Sequence, residues 1–594
     1  MVDKPGSTRR DMLKGLGAGT VAATVGGDLL LSPAAAASTL PASAPAGPFN
    51  ILFILVDQQR HFQPGELPVD FSLRAHERLR RAGTTFTNHR INSCVCTSSR
   101  SVIYTGQHIQ QTKMFDNTNF PWIQSMSTDI PTLGDMLREA GYYTAYKGKW
   151  HLTKEFEEVN KLGSPTKIFT AEMEAYGFSD YLGVGDIIAH TQGGYLHDGM
   201  IAASGGSWLR GKGRELGAQK KPWFLAVNLV NPHDVMFYDT DAPGTPVRPQ
   251  PGLAPLARDP VDPLYSAKWK FDLPATHRQP LNQPGRPKAH TDFIRSHDAV
   301  VVPIDPSEDA RWVRRHNYYL NCMRDVDRNI ATLLDELEAS GQADRTIVIM
   351  TADHGDLDGA HFLHAKGATA YREQNNVPLI IVHPAYPGGR KCRAISSHLD
   401  LAPTLVAMSG APHVKKDKIT KSLNGRDLSP VLANPDAAGV NALHEGVLFN
   451  FNMLAYLDGD FAYRAMDFIH KGGKGNKLKE AGIVPDLRKR GAIRSVFDGR
   501  YVYARYFSPK QHNRPTSLGQ IRGLNDIELY DIQNDPLETN NLAAGAKPNN
   551  ELILAMNEKL NRLIDNEVGE DRGAILPGGI DAGWEVSAET MKGF

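Results

Sequence analysis

The segment from Ser93 to Gly106 combines a cysteine, a row of hydroxyl residues and an arginine. Cys96 is followed by hydroxyl residues at positions 97–99 and then by Arg100. Hydroxyl side chains at a helix N-terminus accept hydrogen bonds from free backbone N–H groups, so a helix is predicted to begin here. Cys96 and Arg100 then lie one turn apart on the same face. Their positive surroundings favour a thiolate or a docked anion, which indicates an active-site segment. The alternative is a buried structural cysteine beside a helix cap.

Two predicted strands end in side chains that ligate metal ions. The apolar run 50–57 ends in Asp57-Gln58, and the apolar run 346–352 leads into Asp353-His354. Continuous apolar runs of this length are typical of buried parallel strands. Ligands of open α/β sheets bind at the carboxyl ends of the strands, so the four side chains are predicted to converge. Mostly oxygen donors favour a hard divalent cation such as calcium or magnesium.

Basic side chains follow the same and other predicted strands. Lys149 and His151 end the strand predicted over 143–150, and in an extended segment residues i and i+2 share a face. His233 follows the strand predicted over 224–230, and Lys366 follows Asp353 closely. A lysine supplies charge for an anion, and a histidine moves a proton near neutral pH. Alone, the pair Lys149 and His151 is more common as a solvated strand end.

The elements around these motifs predict an α/β fold. Strands alternate with helices predicted over 73–82, 131–141 and 314–340, a pattern typical of a parallel sheet. The proline-rich stretch 241–310 is interpreted as a long insertion near the mouth of the site. Beyond about residue 440 the strands alternate like antiparallel ones, Asp498-Gly499 predicts a hairpin turn, and a last helix is predicted over 551–567. We therefore predict a catalytic domain over 49–440 and a smaller antiparallel C-terminal subdomain over 441–594.

Composition excludes several classes of function. The 594 residues contain 66 Lys plus Arg and 66 Asp plus Glu, so no polybasic character indicates nucleic acid or an anionic membrane as partner. Four cysteines in so long a chain do not form a disulfide framework. No C-x-x-C pair indicates zinc, so oxygen and nitrogen ligands are expected to hold any metal.

The N-terminus has the features of an export signal. Arg9-Arg10 precedes a mildly apolar stretch over 15–31, and an A-x-A cleavage pattern ends near Ala37. Asp28 and five glycines make the stretch a poor membrane span, so stable membrane insertion is not expected. We predict a twin-arginine signal over 1–37, a linker over 38–48, the twin-arginine translocase as a partner, and a periplasmic or secreted location.

Taken together, the motifs resemble those of the sulfatase family, on the alkaline-phosphatase-like fold. The order and spacing of the motifs match through most of the chain after the signal. The matching stretches are Asn50–Asp57, Cys96–Gly106, Gly148–Leu152, Pro232-His233, Asp353–Gly355, Lys366 and Glu528–Ala543. The resemblance implies a large, mixed but mostly parallel sheet sandwiched by helices, with a smaller C-terminal antiparallel sheet. It also implies hydrolysis of sulfate esters of small molecules or carbohydrates.

The resemblance further implies a cofactor and a role for each site residue. A formylglycine-generating enzyme would oxidise Cys96 to formylglycine (3-oxoalanine), whose hydrate is the nucleophile and a ligand of one divalent cation, Ca²⁺ first and Mg²⁺ or Mn²⁺ next. The other implied metal ligands are Asp57, Gln58, Asp353 and His354. Arg100 would steady the hydrate, and Lys149 and Lys366 would bind sulfate oxygens. His233 would protonate the leaving alcohol, and His151 would remove the proton that expels sulfate.

Some positions differ from the commonest family pattern. Gln58 and His354 are more similar to the choline-sulfatase and phosphonate-monoester-hydrolase branch, as is Asn117, which in that branch touches the sulfuryl or phosphoryl group. Ser98 stands where the maturation motif usually has proline or alanine. Two alternatives to a sulfatase therefore stay open. One is a phosphonate monoester or phosphodiester hydrolase, and the other is a non-catalytic binding homologue in which Cys96 is not matured.

Overall fold

The computed structural model describes residues 48–571, apart from positions 121, 158–164, 184–190, 248–254, 302, 306 and 546. The predicted signal over 1–37 and nearly all of the predicted linker lie outside the described residues. The described strands are β1 Asn50–Asp57, β2 Thr84–Phe86, β3 His89–Arg90, β4 Tyr143–Gly148, β5 Ser179–Leu182, β6 Trp223–Pro232, β7 Thr346–Ala352, β8 Leu379–Val382, β9 Arg390–Cys392, β10 Ser396–Ser397, β11 Val447–Phe451, β12 Ala492–Phe497, β13 Tyr501–Phe507 and β14 Asn525–Asp531.

Helices connect and cover these strands. Long and short α-helices are described at α1 Arg74–Ala82, α2 Cys96–Thr105, α3 Ile109–Thr112, α4 Leu133–Glu139, α5 Pro165–Ala175, α6 Gly193–Trp208, α7 Arg214–Ala218, α8 Ala289–Val300, α9 Asp309–Ala339, α10 Arg372–Asn375, α11 Leu401–Met408, α12 His413–Thr420, α13 Gly459–His470, α14 Leu518–Leu524 and α15 Asn550–Glu567. Among the residues that the structure describes, no helix is both long and apolar enough to span a bilayer.

The main sheet has eight strands in the order β5-β4-β6-β1-β7-β8-β2-β9. The central strands β4, β6, β1 and β7 are parallel neighbours, whereas β8 pairs antiparallel with both β7 and β2. Helices cover both faces, as the alternation of side chains along β1 shows. Leu52, Ile54 and Val56 pack into one apolar core, and Ile51, Phe53 and Leu55 pack into the other. The predicted mixed, mostly parallel sheet between helices is confirmed.

A separate four-stranded antiparallel sheet, β11-β12-β13-β14, lies in the C-terminal part of the chain. Its hairpin between β12 and β13 turns at Asp498-Gly499, where Gly499 has φ 95°, as the sequence predicts. The sheet is bonded to the segment before Cys96, because Asn92 donates to the Leu448 carbonyl at 2.9 Å and Ser93 to the Asn450 carbonyl at 2.7 Å. The C-terminal sheet thus helps to hold the active-site segment in place. The domain boundary at residue 440 stays a prediction.

Several elements differ from the sequence prediction. The strand predicted over 143–150 ends at Gly148, whose φ of 92° turns the chain. The stretch 241–310 is not merely a loop, since α8 occupies its end, and the helix predicted over 314–340 begins earlier, at Asp309. β14 overlaps the beginning of the stretch Glu528–Ala543, where no strand is predicted. The buried side chains of α8 include histidines and a serine, so apolar periodicity is weak there.

Candidate active site

Four neighbouring strands bring the predicted site residues to one edge of the main sheet. Asp57 is the last residue of β1, and Asp353, His233 and Lys149 directly follow β7, β6 and β4. The carboxyl ends of adjacent parallel strands meet at the same edge. Every one of these four side chains is buried there.

Cys96 begins α2 and lies against the two strand-end pairs. Its Sγ is 3.1 Å from His354 Nε2 and 3.7 Å from Asp57 Oδ1. One donor atom each from Asp57, Cys96, Asp353 and His354 lies within 4.8 Å of the other three, and all four residues are buried. Four buried donors this close together are able to share one cation.

Arg100 joins the two carboxylates across the cluster. Its Nη2 donates to Asp57 Oδ2 at 3.0 Å, and its Nε donates to Asp353 Oδ2 at 3.0 Å. Nη1 donates to the Lys149 carbonyl at 2.9 Å. The guanidinium is fully buried and one helical turn from Cys96. These charge-assisted bonds fix the orientation of both carboxylates.

The charges around Cys96 favour its ionised form. Burial and the carboxylate of Asp57 raise the pKa of the thiol, but Lys149, Lys366 and His354 outweigh them, and the pKa lies below its ordinary value. Lys149 Nζ donates to Asp57 Oδ2 at 2.6 Å.

Cys94, two residues earlier, has the opposite environment. Burial, reinforced by Cys96, raises the pKa of its thiol well above the usual range. Cys94 is also absent from the cluster of donors that contains Cys96 among the described residues. The geometry thus distinguishes two cysteines that are close in sequence.

His354 presents its Nε2 atom to the cluster. Its Nδ1 lies 3.0 Å from the carbonyl oxygen of Gly355, an acceptor that holds a proton on Nδ1 and leaves the Nε2 lone pair for a cation. Burial lowers the pKa of His354, but Asp353 and Cys96 raise it above its ordinary value. The negative potential that stabilises a proton at this point also attracts a metal ion.

Gln58 is held beside the cluster by its main chain and side chain. It has a φ of 72°, and its N–H donates to Asp353 Oδ1 at 3.0 Å. Its Nε2 donates to Asp356 Oδ2 at 2.5 Å, which orients Oε1 towards the ammonium group of Lys366. Lys366 also donates to Met236 Sδ at 2.8 Å.

The hydroxyl row after Cys96 does not cap the helix as the sequence argument supposed. Thr97 Oγ1 donates to the His151 carbonyl at 2.9 Å, and Ser99 Oγ donates to the Asp353 carbonyl. The Thr97 N–H instead donates to Asn117 Oδ1 at 3.3 Å. The buried Ser98 hydroxyl has no hydrogen-bond partner within the described part of the chain. The hydroxyls therefore fasten the helix start to neighbouring site segments.

Lys149 and His151 do not lie on one face of an extended strand, as predicted, although both reach the site. β4 ends before them, and His151 has a left-handed φ of 62°. Burial and the charge of Lys149 lower the pKa of His151 well below its usual value. The positive φ angles of Gly148 and His151 show that the chain turns here and does not continue as a strand.

His233, Asn117 and Lys366 line one cavity at the sheet edge. Burial, Lys366 and Lys149 lower the pKa of His233 well below its usual value, so the imidazole is neutral at neutral pH. An anionic ligand between the lysines offsets their charge and raises the pKa of His233 again. This histidine is thus able to take a proton when an anion is bound.

The sequence did not predict the residues that hold the site side chains in position through hydrogen bonds. Arg315, on α9, donates to Asp356 at 3.1 Å and so fixes the carboxylate that holds Gln58. Asp116 accepts from the Asn117 N–H at 2.9 Å and from Trp122 Nε1 at 2.9 Å. Asp356 lies three residues after Asp353, which is a usable signal, but nothing local marks Arg315 or Asp116.

Comparison with known proteins assigns the family. The sulfatase family model matches residues 50–411, more than half of the chain. Arylsulfatase K of Danio rerio is 26% identical over 403 residues, covering 65% of this chain and 68% of the relative. Choline-sulfatase of Rhizobium meliloti is 26% identical over 414 residues, covering 64% and 71%. The structure of a phosphonate monoester hydrolase from Silicibacter pomeroyi superposes with TM-score 0.57 at 18% identity, covering 88% and 96%, and shows the shared fold.

The matched range contains the cysteine segment, both strand-end pairs, both lysines and both histidines of the site. The fold and the sequence comparison therefore agree. The chain belongs to the sulfatase family, enzymes that hydrolyse sulfate esters on the alkaline-phosphatase-like fold.

Proposed function

We propose that this sulfatase cleaves sulfate monoesters with a formylglycine, made from Cys96, at a single divalent-metal site. The observation that carries the proposal is the placement of Cys96 Sγ among the donors of Asp57, Asp353 and His354, all within 4.8 Å of one another. Cys96, the precursor of the nucleophile, thus lies among the proposed metal ligands. This arrangement suits a reaction in which the cation and the attacking hydroxyl act on the same sulfuryl group.

The donor set fits a hard divalent cation. Two carboxylates and one imidazole nitrogen converge, and Gln58, proposed as a further ligand, is bonded to Asp353 through its main-chain N–H while its Oε1 accepts from Lys366. We propose Ca²⁺ first, with Mg²⁺ or Mn²⁺ as alternatives, because oxygen donors dominate. A bound cation would offset negative charge on the sulfuryl group, and the formylglycine hydrate would supply the attacking hydroxyl.

The cationic side chains have distinct places in this proposal. Lys149 and Lys366 flank Cys96 and lower the pKa of its thiol, so both are near enough to offset charge on the sulfuryl oxygens. Arg100 is occupied by Asp57 and Asp353 and positions them. Asn117 lines the cavity that also contains His233 and Lys366, and it contributes an amide to the bound ester.

The two histidines divide the proton transfers. His233 lines the cavity in which the alcohol portion of the ester lies, and it donates a proton to the leaving oxygen. His151 is buried behind Lys149 and removes the proton whose loss releases sulfate. Burial lowers the pKa of both imidazoles, together with Lys149 and Arg100 at His151 and with Lys366 and Lys149 at His233. A neutral His151 is ready to act as a base, and His233 is able to act as an acid once the bound anion raises its pKa.

Maturation and export complete the proposal. A formylglycine-generating enzyme acts on the unfolded Cys96 segment, because Cys96 is buried in the folded chain. The twin-arginine signal over 1–37 then directs the folded protein to the periplasm or the exterior. Export in a folded state lets modification and metal loading precede translocation.

The test compares two esters with one leaving group, 4-nitrophenyl sulfate and 4-nitrophenyl phenylphosphonate. We expect kcat/KM for the sulfate to exceed that for the phosphonate by about tenfold or more, since both esters are monoanions but the sulfuryl group offers three terminal oxygens to the cation and the lysines, whereas the phosphonate carries a phenyl group in place of one of them. The reverse preference would assign the chain to phosphonate or phosphodiester hydrolysis. An unmodified Cys96 together with no turnover of either ester would support the non-catalytic binder.

A further inference from the structure

A cavity opens directly beside the sulfate end of the site. It is partly open to solvent, and its wall includes His233, Lys366 and Asn117. These three side chains mark the place of the ester group. The rest of the cavity is therefore where the alcohol portion of the substrate lies.

Apolar side chains form most of this remaining wall. Helix α13 contributes Phe461, Ala465, Met466 and Ile469, which recur at helical spacing on one face. The chain after the helix adds aliphatic residues over 478–484. Phe461, Met466 and Ile469 are only partly buried, as expected for side chains that face a cavity.

Other segments close the cavity with similar chemistry. Phe120 and Trp122 stack with ring centroids 4.8 Å apart and planes 11° apart, and they lie beside Asn117 on the wall. Val300 and Val301, at the end of α8, form another part of it. No aspartate or glutamate occurs among the described residues that line the cavity. Asn119, Ser296 and Lys479 are the other polar side chains of the wall, and they are few beside the apolar ones, whereas a pocket for a hydrated sugar needs many convergent hydrogen-bonding groups.

The apolar wall is anchored rather than loose. The Asp458 side chain accepts from the N–H groups of Asp460 and Phe461 at the start of α13, and Gly459 N–H donates to Asp292 on α8 at 3.0 Å. Lys489 Nζ lies 2.8 Å from Asp458 Oδ1 and 2.5 Å from Asp292 Oδ1. These bonds fix α13 against α8 on the side away from the cavity.

The aromatic part of the wall is anchored by the buried carboxylate of Asp116. It accepts from Trp122 Nε1 at 2.9 Å and from the N–H of Leu454 at 3.1 Å. A single carboxylate therefore links the stacked aromatic pair to the chain that leads into α13. The preformed shape favours one class of alcohol over others.

We propose that the physiological substrate is the sulfate monoester of a large apolar alcohol, with a long alkyl chain or fused rings in the cavity between α8 and α13. This inference rests on the proposed function, since it takes His233 and Lys366 as the sulfate end. The apolar part of the ester leaves water on binding, so binding becomes more favourable as this apolar part becomes longer.

The test uses primary alkyl sulfates of four, six, eight and ten carbons at concentrations below micelle formation. Their leaving groups have equal acidity, so differences in kcat/KM report contacts with the chain alone. Burial of a methylene is worth about fourfold in affinity at most, and we expect kcat/KM to rise about twofold or more for each methylene. Glucosamine 6-sulfate is the polar comparison and is expected to be the poorest substrate.

Two variants on α13 test whether the dependence of kcat/KM on chain length arises in this cavity. Ile469→Asn introduces a polar group into the cavity wall and is expected to flatten the chain-length series, lowering kcat/KM for decyl sulfate about tenfold. Tyr463→Asn changes a residue on the same helix that is 58% exposed and outside the cavity, and it is expected to leave the series unchanged.

The outcomes separate this inference from the proposed function. Turnover of 4-nitrophenyl sulfate with a flat alkyl series, or with glucosamine 6-sulfate preferred, would overturn the apolar-alcohol inference and leave the sulfatase mechanism standing. The wild-type series gives this answer even when a variant does not fold. Failure of the matured enzyme on every sulfate ester, 4-nitrophenyl sulfate included, would overturn both.

Discussion

Replacing Cys96 with alanine is expected to lower kcat for 4-nitrophenyl sulfate by about 10⁴-fold or more, because the variant has no precursor of the nucleophile. The thiol lies 3.1 Å from His354 Nε2 and within the ligand cluster, so no neighbouring side chain replaces it. Steady-state kinetics on protein with full metal content measures the loss.

The matched control for this variant is Cys94→Ala. Cys94 is equally buried and two residues away, but burial raises the pKa of its thiol and it lies outside the cluster. Its replacement creates a small cavity, which costs about 1 kcal/mol in the free energy of unfolding and leaves kcat within about threefold. Equal losses for the two variants would show that the segment matters only for folding.

Replacing Asp353 with asparagine is expected to remove the metal and lower kcat/KM by about 10³-fold. The substitution removes one of the two carboxylates in the cluster and the charge that Arg100 contacts at 3.0 Å. The buried guanidinium of Arg100 keeps Asp57 but loses one of its two carboxylate partners, which also lowers the free energy of unfolding, by about 3 kcal/mol. Metal content after dialysis, measured by atomic emission, checks the first effect, and urea unfolding checks the second.

Asp358→Asn is the matched control for loss of metal. Asp358 is also buried and pairs with Arg315 and His316, but it is not part of the cluster around Cys96. We expect reduced stability with metal content retained. A full complement of metal in Asp353→Asn, or equal loss in both variants, would contradict the placement of the cation.

Much of the fold could be predicted because its central strands are buried on both faces. β1 and β7 are continuous apolar runs, and the polar residues that follow them mark the functional edge of the sheet. α8 and β14 were not predicted for a related reason. The buried positions of α8 include His290, Ser296 and His297, and β14 alternates with acidic residues. Their burial depends on partners distant in sequence, which local periodicity does not reveal.

The residues gathered at the site could be predicted more fully than the way they are held there. Arg100 lies one turn from Cys96 as the helical spacing requires, whereas the left-handed φ of Gln58 and of His151 follows from no local rule for such residues. Asp356 and Arg315 are 41 positions apart, and their contact is visible only in three dimensions. Local sequence patterns identify the residue types of the site, whereas tertiary packing determines how their side chains are oriented.

The proposed conversion of Cys96 to formylglycine depends on whether Ser98 is accepted in the maturation motif. Ser98 is buried in the first turn of α2, and its hydroxyl makes no hydrogen bond to any described residue. The folded structure therefore does not require a hydroxyl at this position, and alanine or a first-turn proline is compatible with it. Recognition of the unfolded segment by the generating enzyme decides whether serine is accepted.

Peptide mass spectrometry shows directly whether Cys96 has been converted to formylglycine. Trypsin cleaves after Arg90 and Arg100, so the segment is released as the single peptide 91–100. From a host that contains a formylglycine-generating enzyme, we predict a peptide with an aldehyde in place of the Cys96 thiol and with Cys94 intact. An unmodified Cys96 in protein that still hydrolyses 4-nitrophenyl sulfate would contradict the proposed nucleophile.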